Sequence, residues 1–315
     1  MNKFERIKGE KDGREAREAL DRGARMGRKA LGDGDLFRLK WLGLYEHNTK
    51  DGYFMLRVKI LNGILTGDQA EVLAWIAHEH GRELIDCTTR QCVQIHWITL
   101  EAMPEILARL DHVGLTTIGA CGDVTRNIIG CTIAGIGHDE IVDGYATARA
   151  LHEHLLGNRL YSNLPRKFKI SVAGCVEDCA RGLINDVALS GAIAADGARG
   201  FNLRVGGGLS AVPRMARWID VFITPEEACE VVEQVTAIFR DAEENRKRAA
   251  RPDSSSRSTA SDQRPSAASL NSGSAGRCAA AHPTPRISMV MTMLGSPLSV
   301  MERAARWVSA YHEST

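Results

Sequence analysis

Three groups of cations stand where strands end or glycines turn the chain. Arg90 lies in Thr88-Thr89-Arg90-Gln91, Arg126 in the glycine-rich run Gly119–Asn127, and Arg166, Lys167 and Lys169 open a further apolar segment. Singly, each reads as a solvated loop residue. Together they are unusual, because the formal net charge is only +1 and gives no global reason to gather cations beside glycine turns. A small multivalent anion, or a ligand rich in carboxylates, would collect them. Guanidinium offers two parallel donors, and ammonium offers a compact charge and a proton. Strand alternation puts Lys167 and Lys169 on one face.

Cysteines are the second reactive set. Cys175 and Cys179 form a C-x3-C after a strand, and Cys121 lies in the glycine-rich run. An iron–sulfur cluster takes four thiolates, so these three are one short, and Cys131 completes the set only if the loop folds back. Cys87, Cys92 and Cys229 read as small buried hydrophobes. His96 alternates with Ile95 and Trp97 and points at a candidate cofactor face. His152 and His154, two apart on a helix, cannot share a ligand. The sequence holds no P-loop, H-E-x-x-H, nucleophile elbow or dinucleotide-binding glycine fingerprint.

The elements that position these residues follow from periodicity. Phe54, Leu56, Val58 and Ile60 alternate as a strand. Thr66 and Gln69 form a capping box before Val72, Leu73, Ile76 and Ala77 at helical spacing. Glu83–Cys87 and Val93–Ile98 predict two strands joined through the Thr-Thr-Arg-Gln run. Thr99 is expected to cap a helix burying Met103, Ile106, Leu107 and Leu110, with a strand at Leu115–Ile118 after it. This β-α-β-β-α order is a ferredoxin-like unit. A second, mixed α/β block has a helix over Asp139–Leu156, strands in KFKISVAG, NDVALSGAIAA and FNLRVGGG, and a helix capped by Thr224 and Glu227. The fold class is therefore α+β. The expected domains are a charged surface arm over 1–40 with an alanine-faced helix, the ferredoxin-like unit over 41–118 and the α/β unit over 119–248. A Ser/Ala/Arg-rich disordered linker follows over 249–286, then a tail over 287–315 with a short helix.

Composition narrows the function. The chain has 315 residues, 44% hydrophobic and 25% charged, the balance of an ordinary globular protein. No 18-residue apolar stretch and no secretory signal occur, so a cytoplasmic location with reduced thiols and no membrane association is expected. Near-neutral charge, 5% aromatics and the absence of an RNP signature argue against nucleic acid.

Four motifs in order, TTRQ with QIHW, GACGDVTRNIIGC, NLPRKFKI and FNLRVGGGLS, resemble the siroheme-dependent nitrite/sulfite reductases from about Phe54 to Arg240. The resemblance implies siroheme, bridged through a cysteine thiolate to a [4Fe-4S] cluster. It implies six-electron reduction of sulfite to sulfide or nitrite to ammonia, with ferredoxin or a flavoprotein as donor. It implies that Arg90, Arg126, Lys167 and Lys169 line the open face of the iron, drawing in the anion and passing protons to departing oxygens. Arg57, Gln91, Gln94 and Asn127 would hold the siroheme carboxylates. Lysine at 169, where nitrite-preferring members often carry asparagine, tilts the substrate towards sulfite.

The departure is large. The family has two related halves, and the second carries the cluster cysteines as C-x5-C and C-x3-C. Here Cys121 is followed five positions later by Arg126, so the loops match the cluster-free half. The expectation is one half of a reductase, incomplete alone, needing a separate cluster-bearing half or self-association. Cys121, Cys175 and Cys179 remain weak metal candidates. The alternative is a non-catalytic remnant or a tetrapyrrole-binding module. The precorrin-modifying branch of the same fold is not favoured by any residue.

Overall fold

The computed structural model describes residues 3–47, 52–209, 213–242 and 245–246. The linker expected over 249–286 and the tail helix expected over 287–315 lie outside the described residues.

The chain opens with three helices, α1 (Lys3–Glu10), α2 (Ala16–Met26) and α3 (Asp33–Leu39). These are not the surface arm the sequence suggests. Ala16, Ala19 and Leu20 are buried in the first hydrophobic core. The alanine-rich face looked too weak to bury, yet its small residues permit close approach. A Cβ on Gly23 would stand 2.9 Å from Leu100 Cδ1 and 3.0 Å from Leu31 Cδ1.

The ferredoxin-like unit follows as β1 (Leu44–Glu46), β2 (Phe54–Lys59), α4 (Gly67–His80), β3 (Asp86–Cys87), β4 (Cys92–Ile98) and α5 (Met103–His112). Its four strands form one antiparallel sheet in the order β1-β2-β4-β3. Phe54, Leu56, Val58, Ile95 and Ile98 pack under Leu73, Ile76, Met103, Ile106 and Leu110. Gln69 N–H donates to Thr66 Oγ1, and Gln69 Oε1 accepts from Thr66 N–H, so the expected capping box starts α4. Three expectations shift. The strand expected over Glu83–Cys87 shrinks to Asp86–Cys87. α5 starts after Ala102 with Pro104 in its first turn, so Thr99 is not its cap. The strand expected at Leu115–Ile118 is reduced to a single bridge between Lys59 and Thr116.

The second unit contains β5 (Ile129–Gly130), α6 (Gly144–Leu155), β6 (Ile170–Ala173), β7 (Val187–Ile193), β8 (Arg199–Val205), β9 (Arg217–Ile223) and α7 (Ala228–Asp241). Its sheet runs β5-β6-β7-β8-β9, parallel over the first three strands and antiparallel after. Helices α6 and α7 cover it with Ala148, Leu151, Leu155, Val231, Val232 and Val235. The helix expected over Asp139–Leu156 starts at Gly144, with Asp143 as its cap.

The N-terminal helices also grip the second unit. Lys8, 5% exposed, donates to Leu164 O at 3.0 Å and pairs with Asp123 at 3.2 Å. Trp41 Nε1 donates to Ser162 O at 2.6 Å, and Ser162 Oγ to Asp12 at 2.9 Å. Asp123 and Leu164 border the two cation-bearing loops, so α1 fixes both from behind. Among the described residues, no helix is long and apolar enough to cross a membrane.

Candidate functional site

The glycine-rich loop and the Lys167–Lys169 segment meet through backbone. Arg126 N–H donates to Phe168 O at 2.8 Å, and Phe168 N–H to Val124 O at 3.0 Å. With Phe168 buried, the alternation leaves Lys167 exposed and Lys169 half-buried on the other side. The loop curls around the Arg126 side chain. Its Nε donates to Gly122 O at 2.9 Å and Nη1 to Ala120 O at 3.2 Å.

Arg126 is the electrostatic centre of the region. Burial lowers the basicity of Lys40, Lys59, Arg90 and Lys169, and Arg126 adds to the effect in every case. Lys169 is further lowered by Arg90 and Lys167, and raised by Asp186. The four cations singled out in the sequence therefore share one neighbourhood.

They do not share one role. Arg90 turns inward. Its Nη1 donates to Asn185 Oδ1 at 2.5 Å, and its Nη2 to Asn127 O at 2.6 Å and Ile170 O at 3.3 Å. These bonds tie the β3–β4 hairpin to the second sheet, and desolvation takes its pKa down to about 10. Arg57 behaves in the opposite way. It lines an open cleft of about 610 Å³ with Lys40, Tyr45, His47 and His96, walled by Leu36, Phe37 and Met55. Burial pushes the Cys121 thiol up, and Arg57 and Arg126 pull it down. Arg57 thus reaches the Arg126 neighbourhood from the cleft side, where Arg90 was expected.

The other expected carboxylate holders divide similarly. Gln94, with its amide oxygen inward, accepts from Arg57 Nη2 and from Nε at 3.1 Å, and so orients that guanidinium. Gln91 spends both ends of its amide on Gly130, at 2.8 and 3.0 Å. Asn127, 1% exposed, donates to Ile60 O, Arg90 O and Gln91 O at 2.8–3.0 Å. Gln91 and Asn127 are seams between the two units rather than cleft-facing ligands.

Two groups escaped the sequence reading. Lys59 is 6% exposed, and burial takes its ammonium down to about 8. It shares the face of β2 with Met55 and Arg57, and the alternation that found Phe54 and Leu56 carries that signal. Asp186 accepts from Lys169 N–H at 2.7 Å, and burial pushes its carboxyl up to about 6 against the pull of Lys169 and Arg90. His96 lines the cleft, bonded to His47 Nε2 at 3.1 Å and paired with Asp86 at 3.2 Å.

The thiols do not form one site. Cys121 sits with Arg57, Arg126 and Cys92, whereas Cys175 and Cys179 share their surroundings with Cys131. Among the described residues, no group of three or more His, Cys, Asp or Glu side chains could hold a metal ion. The weak set of Cys121, Cys175 and Cys179 is corrected accordingly: these residues do not fit a [4Fe-4S] cluster. Siroheme does fit. The cleft's apolar wall of Leu36, Phe37 and Met55 could face a flat ligand such as siroheme, and the cationic side chains of Arg57 and Lys40 could receive its carboxylates.

Residues 45–113 match the family profile described as the nitrite/sulfite reductase ferredoxin-like half domain, and residues 121–252 that of the nitrite and sulphite reductase 4Fe-4S domain. A ferredoxin–nitrite reductase of Leptolyngbya laminosa is 39% identical over 252 residues, covering 76% of this chain and 48% of that protein. A sulfite reductase [ferredoxin] of Mycobacterium tuberculosis is 37% identical over 220 residues, covering 65% of this chain and 39% of that protein. The solved structure of Mycobacterium tuberculosis NirA superposes with a TM-score of 0.72 at 34% identity, covering 78% of this chain and 48% of that one. A dissimilatory sulfite reductase I structure, at 14% identity and a TM-score of 0.54, shares the fold. The chain spans about half the length, or less, of these curated relatives. From the two domain profiles and these relatives, the chain belongs to the nitrite/sulfite reductase family.

Proposed function

We propose that this chain supplies the anion-binding, siroheme-holding part of a six-electron nitrite or sulfite reductase. The observation that carries the reading is the cluster of Lys167 and Lys169 around Arg126, with Arg57 joining that neighbourhood from the open cleft it lines. Siroheme, when bound, supplies the redox iron at which the anion is reduced. Arg57 and Lys40 would hold its carboxylates or meet the anion from the cleft side. Arg126, fixed by the carbonyls of its own loop, presents a preorganised positive charge that needs no rearrangement as negative charge accumulates. Lys169 Nζ, made more acidic by burial and by neighbouring cations, is suited to give a proton to a departing oxygen. Lys167, exposed beside it, is placed to exchange protons with solvent.

On this reading the cluster ligands come from another segment, a second chain or a second copy, since no group of three or more His, Cys, Asp or Glu among the described residues could hold a metal ion. Electrons would come from ferredoxin, the donor in the relatives' names, or from a flavoprotein. Both nitrite and sulfite reductases stand among the relatives, so Lys169 alone carries the tilt towards sulfite. Production of the chain with a siroheme supply tests the reading. Tetrapyrrole should co-purify, and Arg126→Gln should abolish the spectral response to sulfite while leaving the fold intact. Loss of tetrapyrrole in both proteins would refute it.

A further inference from the structure

The turn entering β7 grips two of the cations from opposite sides. Ile184 O accepts from Lys169 Nζ at 2.7 Å, Asn185 Oδ1 from Arg90 Nη1 at 2.5 Å, and the Asp186 carboxylate from Lys169 N–H at 2.7 Å. Three consecutive residues therefore set the position of an ammonium and a guanidinium that belong to different structural units. The last of the three brings a carboxyl into a region otherwise rich in cations. We infer that Asp186 is a positioning residue for the anion site, whose ionisation tunes how strongly Lys169 and its neighbours attract substrate. The inference rests on the anion-binding reading above and deepens it.

The charged groups that face Asp186 are Lys169, on the approach to β6, and Arg90, on the β3–β4 hairpin. From β8 the nearest charge in sequence, Arg204, is paired with Asp178 at 3.8 Å, and the connection after β8 contributes Gly206 N–H to Asp186 O at 2.9 Å. Asp186 is therefore balanced by the site's own cations. Desolvation puts its pKa at about 6, so it is neutral in mild acid and a carboxylate at neutral pH. As it ionises, the local positive charge falls by one. In return the new carboxylate raises the Lys169 ammonium, keeping that proton in place at higher pH. The single carboxyl thus has two opposed effects, weaker anion attraction and firmer retention of the proton on Lys169.

Sulfate is a suitable probe, because its charge is constant from pH 5 to 9 and any change in affinity reports the protein. Titration of the full chain should show affinity falling about fivefold between pH 5 and 7, the effect of one unit charge on a divalent anion at roughly 8 Å in a water-filled site. Asp186→Asn should lose that step, bind sulfate about fivefold more tightly than wild type at pH 7, and release it at lower alkaline pH. Asp186→Glu should restore the step. If Asp186→Asn does not fold, Lys169→Met replaces it: without the ammonium, Asp186 keeps its proton longer and the step moves to higher pH. An unchanged step in these variants, or weakening of both Asp186 variants at every pH, overturns the inference alone. Absence of sulfate binding by folded wild type at every pH overturns the anion site itself.

Discussion

Replacing Arg90 by alanine should unfold the chain more readily without acting as a chemical lesion. The guanidinium makes three bonds across the seam, to Asn185, Asn127 O and Ile170 O. At about 2 kcal/mol for each bond to a charged donor, they contribute about 6 kcal/mol. The depressed pKa of about 10 marks an opposing desolvation cost of about 3 kcal/mol. About 3 kcal/mol remains, and a domain pair of this size loses about 8 °C of melting temperature for that amount. Calorimetry or dye-based melting of Arg90→Ala, beside Arg126→Gln and Lys167→Ala, measures it. Lys167→Ala should melt within about 2 °C of wild type, because Lys167 is exposed, and Arg126→Gln should lose less than Arg90→Ala, because the two side-chain bonds of Arg126 stay within its own loop. Arg90→Lys should recover only part of the loss, since an ammonium cannot reproduce the fork. An Arg90→Ala protein that melts like wild type yet no longer binds anion would refute the assignment of Arg90 to the seam.

Other outcomes follow from single contacts. Lys8→Met should destabilise the fold by about 3 kcal/mol in urea titrations, because it strips the buried partner from Asp123 and Leu164 O. Gly130→Ala should be still harsher and reduce soluble yield, since the new Cβ would stand 1.7 Å from Asn62 Oδ1 and 3.0 Å from Val172 O. Burial, with the Lys59 charge second, takes His152 down to about 4. The unfolded chain therefore binds this proton first, and stability is lost as pH falls from about 6.5 to about 4, by at most about 3 kcal/mol. Melting across that window should flatten in His152→Gln, and an identical slope in the variant would contradict the burial argument.

Much of this was legible because alternation and capping act locally. Phe54 to Ile60 and the Thr66–Gln69 box fix their own geometry, and both stand as read. β9 carries the same local signal: Ile219, Val221 and Ile223 alternate inward behind exposed Trp218. The burial of α2 was not legible, because an alanine face is a weak hydrophobic signal until the closely packed partner, Leu31 or Leu100, is known. The exchange of roles between Arg57 and Arg90 has the same origin. Both lie beside the sheet, and only the opposing acceptors Asn185 and Ile170 O decide which guanidinium is consumed by structure. Composition likewise could not show that Cys121 stands apart from Cys131, Cys175 and Cys179, since thiol spacing says nothing about which loops converge.

The most direct measurement is the visible spectrum and iron content of the chain purified with siroheme available, before and after sulfite or nitrite is added. The account predicts tetrapyrrole bands that shift with the anion in wild type and persist without shifting in Arg126→Gln. A colourless, folded wild-type chain, or an undiminished shift in Arg126→Gln, would contradict it.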